Sequence, residues 1–311
     1  MSLSSIPKHS LIGATTESID PRYASLDQFS TADMVAAMNE AEAEVPRAIK
    51  AVSSAIASAI DDIAPRMAAG GRLIYVGAGT PGRLGVLDAS ECPPTFSADP
   101  HQVIGLIAGG EVALTTAVEG AEDDRAGGKR DAAALTLTGN DTIVGLTASG
   151  RTPYVLGAID AADEAGSLTV GVSSNKNSVL STMVTHPIEV IVGPEVIAGS
   201  TRLKAGSAQK QVLNMLSTLT MVRLGKTYGN LMVDVSATNE KLYERAQVLV
   251  QELTGVSREE AQQALAACDN SVKCAAVSII RGVDAARAQE ILAEAGGFLR
   301  QAIDPADRES E

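Results

Sequence analysis

The sequence has no tryptophan, and aromatic residues make up only 3% of its 311 residues. Its formal net charge is −13. Nucleic-acid-binding proteins need basic patches for phosphates and aromatic rings on which bases stack, so both features argue against a nucleic-acid partner. An anionic small molecule is compatible with this charge where a few local donors oppose the overall field. We therefore expect a small-molecule site that is built from a few loops.

Cysteine and histidine are also scarce. The three cysteines are Cys92, Cys268 and Cys274, and the three histidines are His9, His101 and His186. An odd number of cysteines with no CxxC motif is typical of reduced thiols rather than of a disulfide framework or a zinc cage. We expect no structural metal.

Long hydrophobic runs are absent, although hydrophobic residues form 45% of the chain. No run approaches the ~18 apolar residues that a membrane-spanning helix requires. Residues 1–12 show no basic segment followed by an apolar stretch and a small-residue cleavage site, so no signal peptide is visible. The sequence thus predicts a soluble, cytoplasmic protein with no membrane partner.

Short and nearly continuous apolar runs indicate buried β-strands. They lie at 73–76, 103–107, 142–146, 168–172 and 188–192. Helical patterns separate most of these runs, which is typical of parallel strands buried on both faces. The sequence predicts an α/β fold with a doubly wound, mostly parallel five-stranded sheet.

Helical periodicity extends before and after the strands. Residues 31–67 predict one or two helices, with Pro46 at a break or in a first turn. Further helices are predicted at 203–224, 258–267, 271–280 and 285–294. Because strand-like runs stop after Asp234, we predict a large α/β domain over residues 1–235 and a small C-terminal helical subdomain over residues 236–311.

A glycine-rich turn follows the first predicted strand, where residues 77–82 match GxGxxG. This pattern alone is weak, because a dinucleotide site also needs an acidic residue about 20 positions further on. Glu111, at the end of the next predicted strand, lies 29 positions beyond Gly82. A dinucleotide site and a plain tight turn both stay open as alternatives.

Hydroxyl-bearing turns follow two of the predicted strands. One contains Gly79 and Thr80; the other contains Ser149, Gly150, Arg151 and Thr152. Pro81 and Pro153 stand where a helix begins, so each turn offers free N–H groups and hydroxyls to an anion. Two such turns at the carboxyl ends of parallel strands can bind one phosphate. For any single hydroxyl, the alternative is that it only caps a helix. A third polar turn opens the 203–224 helix with Ser200 and Lys204, which can meet an anionic group there or remain solvated.

Two carboxylates are candidates for acid and base chemistry. Glu91 lies two residues before Pro93, so we expect it to leave the helix and face a crevice, where burial would raise its pKa. Glu122 lies in a run of acids, which is more often a solvated face.

Long motifs in a fixed order resemble one known family. They include GRLIYVGAGTPGRLGVLDASECPPTF, VIGLIAGGE, AVEGAEDD, TASGRTPYVLGAI, GSTRLKAGSAQKQVLNMLST and GNLMVDVSATNEKL. Together they are similar to the N-acetylmuramic acid 6-phosphate etherases of the sugar isomerase (SIS) superfamily, and the resemblance runs from about Thr16 to Ile303.

This resemblance implies that a SIS domain hydrolyses the D-lactyl ether of N-acetylmuramic acid 6-phosphate in cell-wall recycling, without a metal or a redox cofactor. It implies that Glu91 is the proton donor, that Glu122 is the second acid, and that the protein is a homodimer with a separate C-terminal helical bundle. One position departs from the family pattern: many relatives have serine where this chain has Pro81, which removes a hydroxyl and an N–H donor from the first turn. A sugar-phosphate isomerase and a non-catalytic sugar-phosphate sensor of the same fold are the alternatives.

Overall fold

The computed structural model describes residues 14–235 and 240–304, and its centre is a five-stranded, fully parallel sheet with the order β2-β1-β3-β4-β5. The strands are β1 (Leu73–Gly77), β2 (Val103–Ile107), β3 (Thr142–Leu146), β4 (Leu168–Ser173) and β5 (His186–Glu189). Every residue of β1, β3 and β4 is buried, as expected for parallel strands covered on both faces. The predicted fold class is confirmed.

The fifth strand starts earlier than predicted, at His186 rather than at residue 188. The apolar run on which the prediction rested continues past the paired residues, and Val190 and Val192 are buried beyond the strand end. The apolar run therefore indicated which residues are buried, but not which residues pair with β4.

Helices cover the sheet and make up the C-terminal region. They are α1 (Thr31–Glu42), α2 (Val45–Ala51), α3 (Ser53–Ala68), α4 (Gly79–Phe96), α5 (Arg125–Ala133), α6 (Pro153–Glu164), α7 (Val179–Met183), α8 (Lys204–Arg223), α9 (Glu240–Thr254), α10 (Arg258–Ala267), α11 (Val272–Arg281), α12 (Ala285–Glu294) and α13 (Leu299–Ile303). Residues 31–68 form three α-helices rather than one or two, and α2 is separated from α3 at Val52, whose φ is −112° and ψ 14°. Pro46 occupies the first turn of α2, where its missing N–H costs nothing.

The described residues divide into two compact units. One comprises the residues up to Ala89 together with His101–Ser217, and the other comprises Ser90–Pro100 together with the residues from Thr218 onwards. Helices α4 and α8 each contribute to both units. The domain boundary that the sequence suggests, at residue 235, stays a prediction.

A buried ammonium group lies in the second unit. Lys273 is 6% exposed, and its Nζ donates to Asp234 Oδ2 at 2.9 Å and to the Gly297 carbonyl at 2.9 Å. Lys226 reaches the same carboxylate oxygen at 3.1 Å. Burial lowers the pKa of Lys273, and the hydrogen bond to Asp234 opposes that shift. The buried Lys273 ammonium is thus paired with a carboxylate and hydrogen-bonded, as a buried charge must be.

In the first unit, an ion pair joins the starts of β1 and β3. The buried Asp141 carboxylate accepts hydrogen bonds from Arg72 Nε at 2.9 Å and Nη2 at 2.7 Å, and from the N–H of Thr138 at 2.7 Å. Burial raises the pKa of Asp141, but these hydrogen bonds outweigh it and hold the pKa below the ordinary value of 3.8.

We predict that Asp141→Asn lowers the free energy of unfolding by about 3 kcal/mol at neutral pH, because it leaves Arg72 without its buried counterion. Urea unfolding measures this change. Since the folded pKa is depressed, the contribution of Asp141 is present above the ordinary carboxyl pKa and is lost as the pH falls through the folded value. The gap between wild type and variant should therefore close in acid. Glu164→Gln, which breaks the exposed pair with Lys129, is the control and should change stability by less than about 1 kcal/mol. An equal effect of both variants would contradict the role of burial.

Candidate active site

The carboxyl ends of β1 and β3 lie side by side. The last residue of β1, Gly77, pairs with Leu146, the last residue of β3. The chain leaves β1 for α4 and then β2 on one side of β1, whereas β3 lies on the other side. This reversal creates a crevice at the carboxyl edge, where open α/β sheets bind ligands. The two predicted phosphate turns therefore start next to each other.

Three hydroxyls cluster in the turn after β3. Thr147 Oγ1 is hydrogen-bonded to Ser149 Oγ at 3.2 Å and to Thr152 Oγ1 at 2.7 Å. The N–H of Arg151 donates to Ser149 Oγ at 3.3 Å. Ser149, Arg151 and Thr152 are each partly exposed, so an incoming anion can reach them. The sequence prediction omitted Thr147, whose position as the first residue after a strand was the available signal.

Thr152 shows whether the hydroxyls of this turn serve only to cap a helix or are available to a ligand. It occupies the N-cap position of α6, and Pro153 is the first residue of that helix. Its side chain nevertheless makes no capping hydrogen bond. Because an N-cap threonine ordinarily accepts from a helix N–H, this hydroxyl is not held by the helix end.

Gly150 allows the turn to close against the loop after β4. Its φ is +71°, and an added Cβ would collide with the side chain of Ser178. Its carbonyl accepts a hydrogen bond from the N–H of Leu180 at 2.9 Å. Glycine is required here by both backbone conformation and space.

The turn after β1 is equally tight. An added Cβ on Gly82 would lie 2.7 Å from Ile107 Cγ1 and 2.8 Å from the Gly77 carbonyl oxygen. Helix α4 begins at Gly79, whose φ is +58°, so Pro81 lies in its first turn. The missing N–H of Pro81 removes one donor from that turn. Thr80 is partly exposed.

Helix α8 runs beside α4 within the first unit. Thr80 Cγ2 lies 3.6 Å from where a Cβ on Gly206 would stand, and eight residues further on Asn214 Nδ2 donates to Asp88 Oδ1 at 2.6 Å. Tyr75 Oη also donates to this buried carboxylate, at 2.8 Å. Between these contacts, the buried amide of Gln209 has no hydrogen-bond partner within the described parts of the chain.

A cavity of ≈ 190 Å³ adjoins the start of α4. Its lining includes Gly79, Arg83, Glu119 and Glu122. Arg83 Nε donates to the Leu114 carbonyl at 3.0 Å, which fixes the guanidinium at the cavity wall. The structure thus brings Glu122, an exposed residue of a short 3₁₀ helix (Ala121–Asp123), into one cavity with the first predicted phosphate turn.

Glu91 does not leave the helix as the sequence predicted. It is exposed and lies inside α4, which continues through Pro93 and Pro94 to its end. Two apolar residues four positions apart, Cys92 and Phe96, are 2% and 6% exposed and anchor this last stretch. Their burial outweighs the two backbone hydrogen bonds that the prolines remove. Because the carboxylate is exposed, the predicted burial of Glu91 is wrong.

The side chain of Lys204 forms an ion pair with another residue of the same unit. Its side chain is 1% exposed, and Nζ donates to Glu44 Oε2 at 2.7 Å. The buried Glu195 carboxylate accepts from the N–H groups of Lys204 at 2.9 Å and Ala205 at 3.0 Å, which satisfies the start of α8. Burial raises the pKa of Glu195, against these two hydrogen bonds. The Lys204 ammonium is therefore engaged by Glu44 rather than available to a ligand, whereas Ser200 is partly exposed.

Comparisons with known proteins agree with the motifs. Residues 55–163 match the family described as the glucokinase regulatory protein N-terminal SIS domain, and residues 229–290 match the C-terminal lid domain of glucokinase regulatory protein. A protein named N-acetylmuramic acid 6-phosphate etherase from Streptomyces avermitilis is 55% identical over 294 residues, covering 94% of each chain. A protein of the same name from Escherichia coli is 51% identical over 289 residues, covering 93% of this chain and 97% of the other. The chain belongs to the N-acetylmuramic acid 6-phosphate etherase family.

Solved structures of sugar-phosphate isomerases are more distant. A phosphoheptose isomerase from Francisella tularensis superimposes with a TM-score of 0.49 at 19% identity, over 62% of this chain and 100% of the other. Within the described residues, no three or more His, Cys, Asp or Glu side chains are grouped so that they could hold a metal ion. No helix in residues 14–235 or 240–304 is long and apolar enough to span a membrane.

For the etherase-family turn after β3, we predict that Thr152→Ala lowers the affinity for inorganic phosphate about tenfold, because hydrogen bonds to charged groups contribute ~1.5–3 kcal/mol. The free energy of unfolding should fall by no more than about 1 kcal/mol, since the hydroxyl caps no helix. Calorimetric titration and urea unfolding measure the two quantities. Ser257→Ala is the matched control, because Ser257 Oγ does accept from the N–H of Glu260, at 3.2 Å. It should lose stability and keep phosphate affinity. Unchanged phosphate affinity in Thr152→Ala would refute the binding role.

Proposed function

We propose that this protein cleaves the D-lactyl ether of N-acetylmuramic acid 6-phosphate with water, giving N-acetylglucosamine 6-phosphate and D-lactate. Family membership supports the reaction, since relatives at 50–55% identity carry the etherase name. The structural observation that carries the proposal is the shared cavity of Glu122, Arg83 and Gly79 beside the paired ends of β1 and β3. A carboxylate there stands beside a site suited to a phosphate.

The substrate phosphate is proposed to bind the hydroxyl turn after β3 together with the turn after β1. Ser149, Thr152 and Thr80 supply neutral donors, and the first turn of α6 contributes its helix dipole. Arg151 and Arg83 add positive charge in a chain whose net charge is −13. Because Pro81 removes a donor from the first turn, the turn after β3 carries more of the phosphate binding.

The chemistry follows from the position of the ether. In the ring-opened sugar the C3 ether oxygen is β to the C1 aldehyde, so removal of the C2 proton allows elimination. We assign proton removal at C2 to Glu122, which lines the cavity, and protonation of the departing lactyl oxygen to Glu91, as the family resemblance implies. The C3–O bond breaks, D-lactate leaves with the proton from Glu91, and a C2–C3 double bond remains. Water then adds at C3 with its proton passing to Glu91, and C2 regains a proton from Glu122.

Assembly and location form part of the same proposal. We propose a cytoplasmic homodimer, as the family resemblance implies. Light scattering on the purified protein tests the dimer, which a monomeric mass of 31.9 kDa would exclude.

The decisive measurement is D-lactate release from N-acetylmuramic acid 6-phosphate in D2O. We expect one lactate per sugar consumed and one deuterium at C2 of the product. An isomerase would move the C2 proton without releasing lactate, and a sensor would bind the sugar phosphate without turnover. Lactate release without deuterium at C2 would exclude the elimination mechanism.

We predict that Glu91→Gln lowers kcat for lactate release by about 10²–10⁴-fold, the range typical of a lost general acid, while substrate affinity is retained. Glu122→Gln should suppress deuterium exchange at C2 to a similar degree. Glu119→Gln removes another carboxylate from the same cavity and is the control, with a kcat within a few-fold of wild type. Full activity of Glu91→Gln would show that another group protonates the lactyl oxygen.

A further inference from the structure

A short N-terminal segment, Thr15–Glu17, is fixed at the carboxyl edge of the sheet. Thr16 is 1% exposed, and its N–H donates to Asn175 Oδ1 at 3.4 Å. Asn175 Nδ2 donates in return to Thr16 Oγ1 at 3.1 Å and to the Ala148 carbonyl at 3.0 Å. Ala148 immediately precedes Ser149, so one buried amide connects this segment to the proposed phosphate turn after β3.

A second set of contacts fixes the chain just beyond this segment. The buried Asp20 accepts from Arg22 Nη2 at 2.7 Å, and the same nitrogen donates to Glu44 Oε1 at 3.1 Å. Glu44 in turn binds the ammonium of Lys204 at the start of α8. Hydrogen bonds from Arg22 lower the pKa of Asp20, and burial opposes them, so the carboxylate is charged at neutral pH. The segment is therefore held at both ends.

Between these anchors, the Glu17 carboxylate lies beside the third predicted turn. Its Oε2 is 3.4 Å from where a Cβ on Gly199 would stand, and Gly199 precedes Ser200. Glu17 is partly buried, and its carboxylate makes no hydrogen bond or ion pair with the described residues. Among the described residues it is therefore an acceptor without a donor, and it lies next to the third predicted turn.

The charge of Glu17 determines what it can bind. A carboxylate repels a phosphate, so it is unsuited to the phosphate end of the ligand. Carboxylates accept strong hydrogen bonds from hydroxyl groups, and a sugar presents several of them. We propose that Glu17 is a specificity-determining residue that accepts a hydrogen bond from a hydroxyl of the bound sugar, with Thr15–Glu17 as a wall of the site. This inference rests on the proposed sugar-phosphate site.

The test compares two probes that share the phosphate but differ in the sugar. Glu17→Gln should weaken binding of N-acetylglucosamine 6-phosphate by about tenfold, the effect of losing a charge-assisted hydrogen bond. Binding of inorganic phosphate should be unchanged or tighter, because a repulsive charge is removed. Isothermal titration calorimetry of the intact protein measures both affinities. With N-acetylmuramic acid 6-phosphate as substrate, KM should rise more than kcat falls.

Two further variants complete the design. Asp27→Asn removes an exposed carboxylate of the same N-terminal region and should leave both affinities unchanged. Thr16→Val removes the acceptor of Asn175 and should weaken sugar-phosphate binding, and Thr16→Ser should restore it.

Equal weakening of both probes by Glu17→Gln would show a merely structural role and overturn the proposal, as would unchanged binding of the sugar phosphate. These binding results do not depend on turnover. A wild-type protein that binds N-acetylglucosamine 6-phosphate but releases no lactate would refute the proposed function and leave the role of Glu17 standing.

Discussion

The parallel pairing of β1 with β3 is the constraint on which the site depends. In register, Gly77 pairs with Leu146 and also with Ile107, while Leu146 pairs with Val172, so four strands reach the same edge at the same level. The turns that follow these four strands therefore lie side by side along one edge of the sheet. The polar turns after β1 and β3 are far apart in sequence, yet the pairing of the two strands brings them together.

Glycine residues allow neighbouring backbone segments to pack closely at this edge of the sheet. Gly77 and Gly82 let the start of α4 approach β1, and Gly150 lets the next turn approach Ser178. At each of these positions a Cβ would force backbone or side chain apart. Thr80 then lies in the first turn of α4, Thr152 at the N-cap position of α6, and Ser149 in the turn before α6. In an acidic protein, such neutral donors are suited to an anion because they require no large basic patch.

Sequence reasoning predicted the sheet, the long helix α8 and the hydroxyl turns, because each leaves a local signature: a buried apolar run, a wide apolar stripe, or hydroxyls after a strand. It failed where a tertiary contact overrides the local signal. The prolines after Glu91 indicated a helix end, yet buried Cys92 and Phe96 keep the helix intact. Lys204 resembled a free cation at a helix start, but its partner Glu44 is 160 residues away in sequence. No local sequence pattern predicts an ion pair between residues so far apart in sequence.

The proposed role of Glu17 likewise could not be deduced from its neighbours in sequence. An isolated glutamate near the start of a chain carries no motif, and its meaning comes from Asn175, which joins Thr16 to the turn after β3. The amide of Asn175 satisfies one donor and one acceptor of the N-terminal segment, so moving that segment would leave buried polar groups unpaired. This cost keeps the segment at the sheet edge before any ligand arrives. A carboxylate that is fixed in advance loses little entropy when a sugar hydroxyl donates to it, which is why one partly buried acid in this position can contribute to specificity.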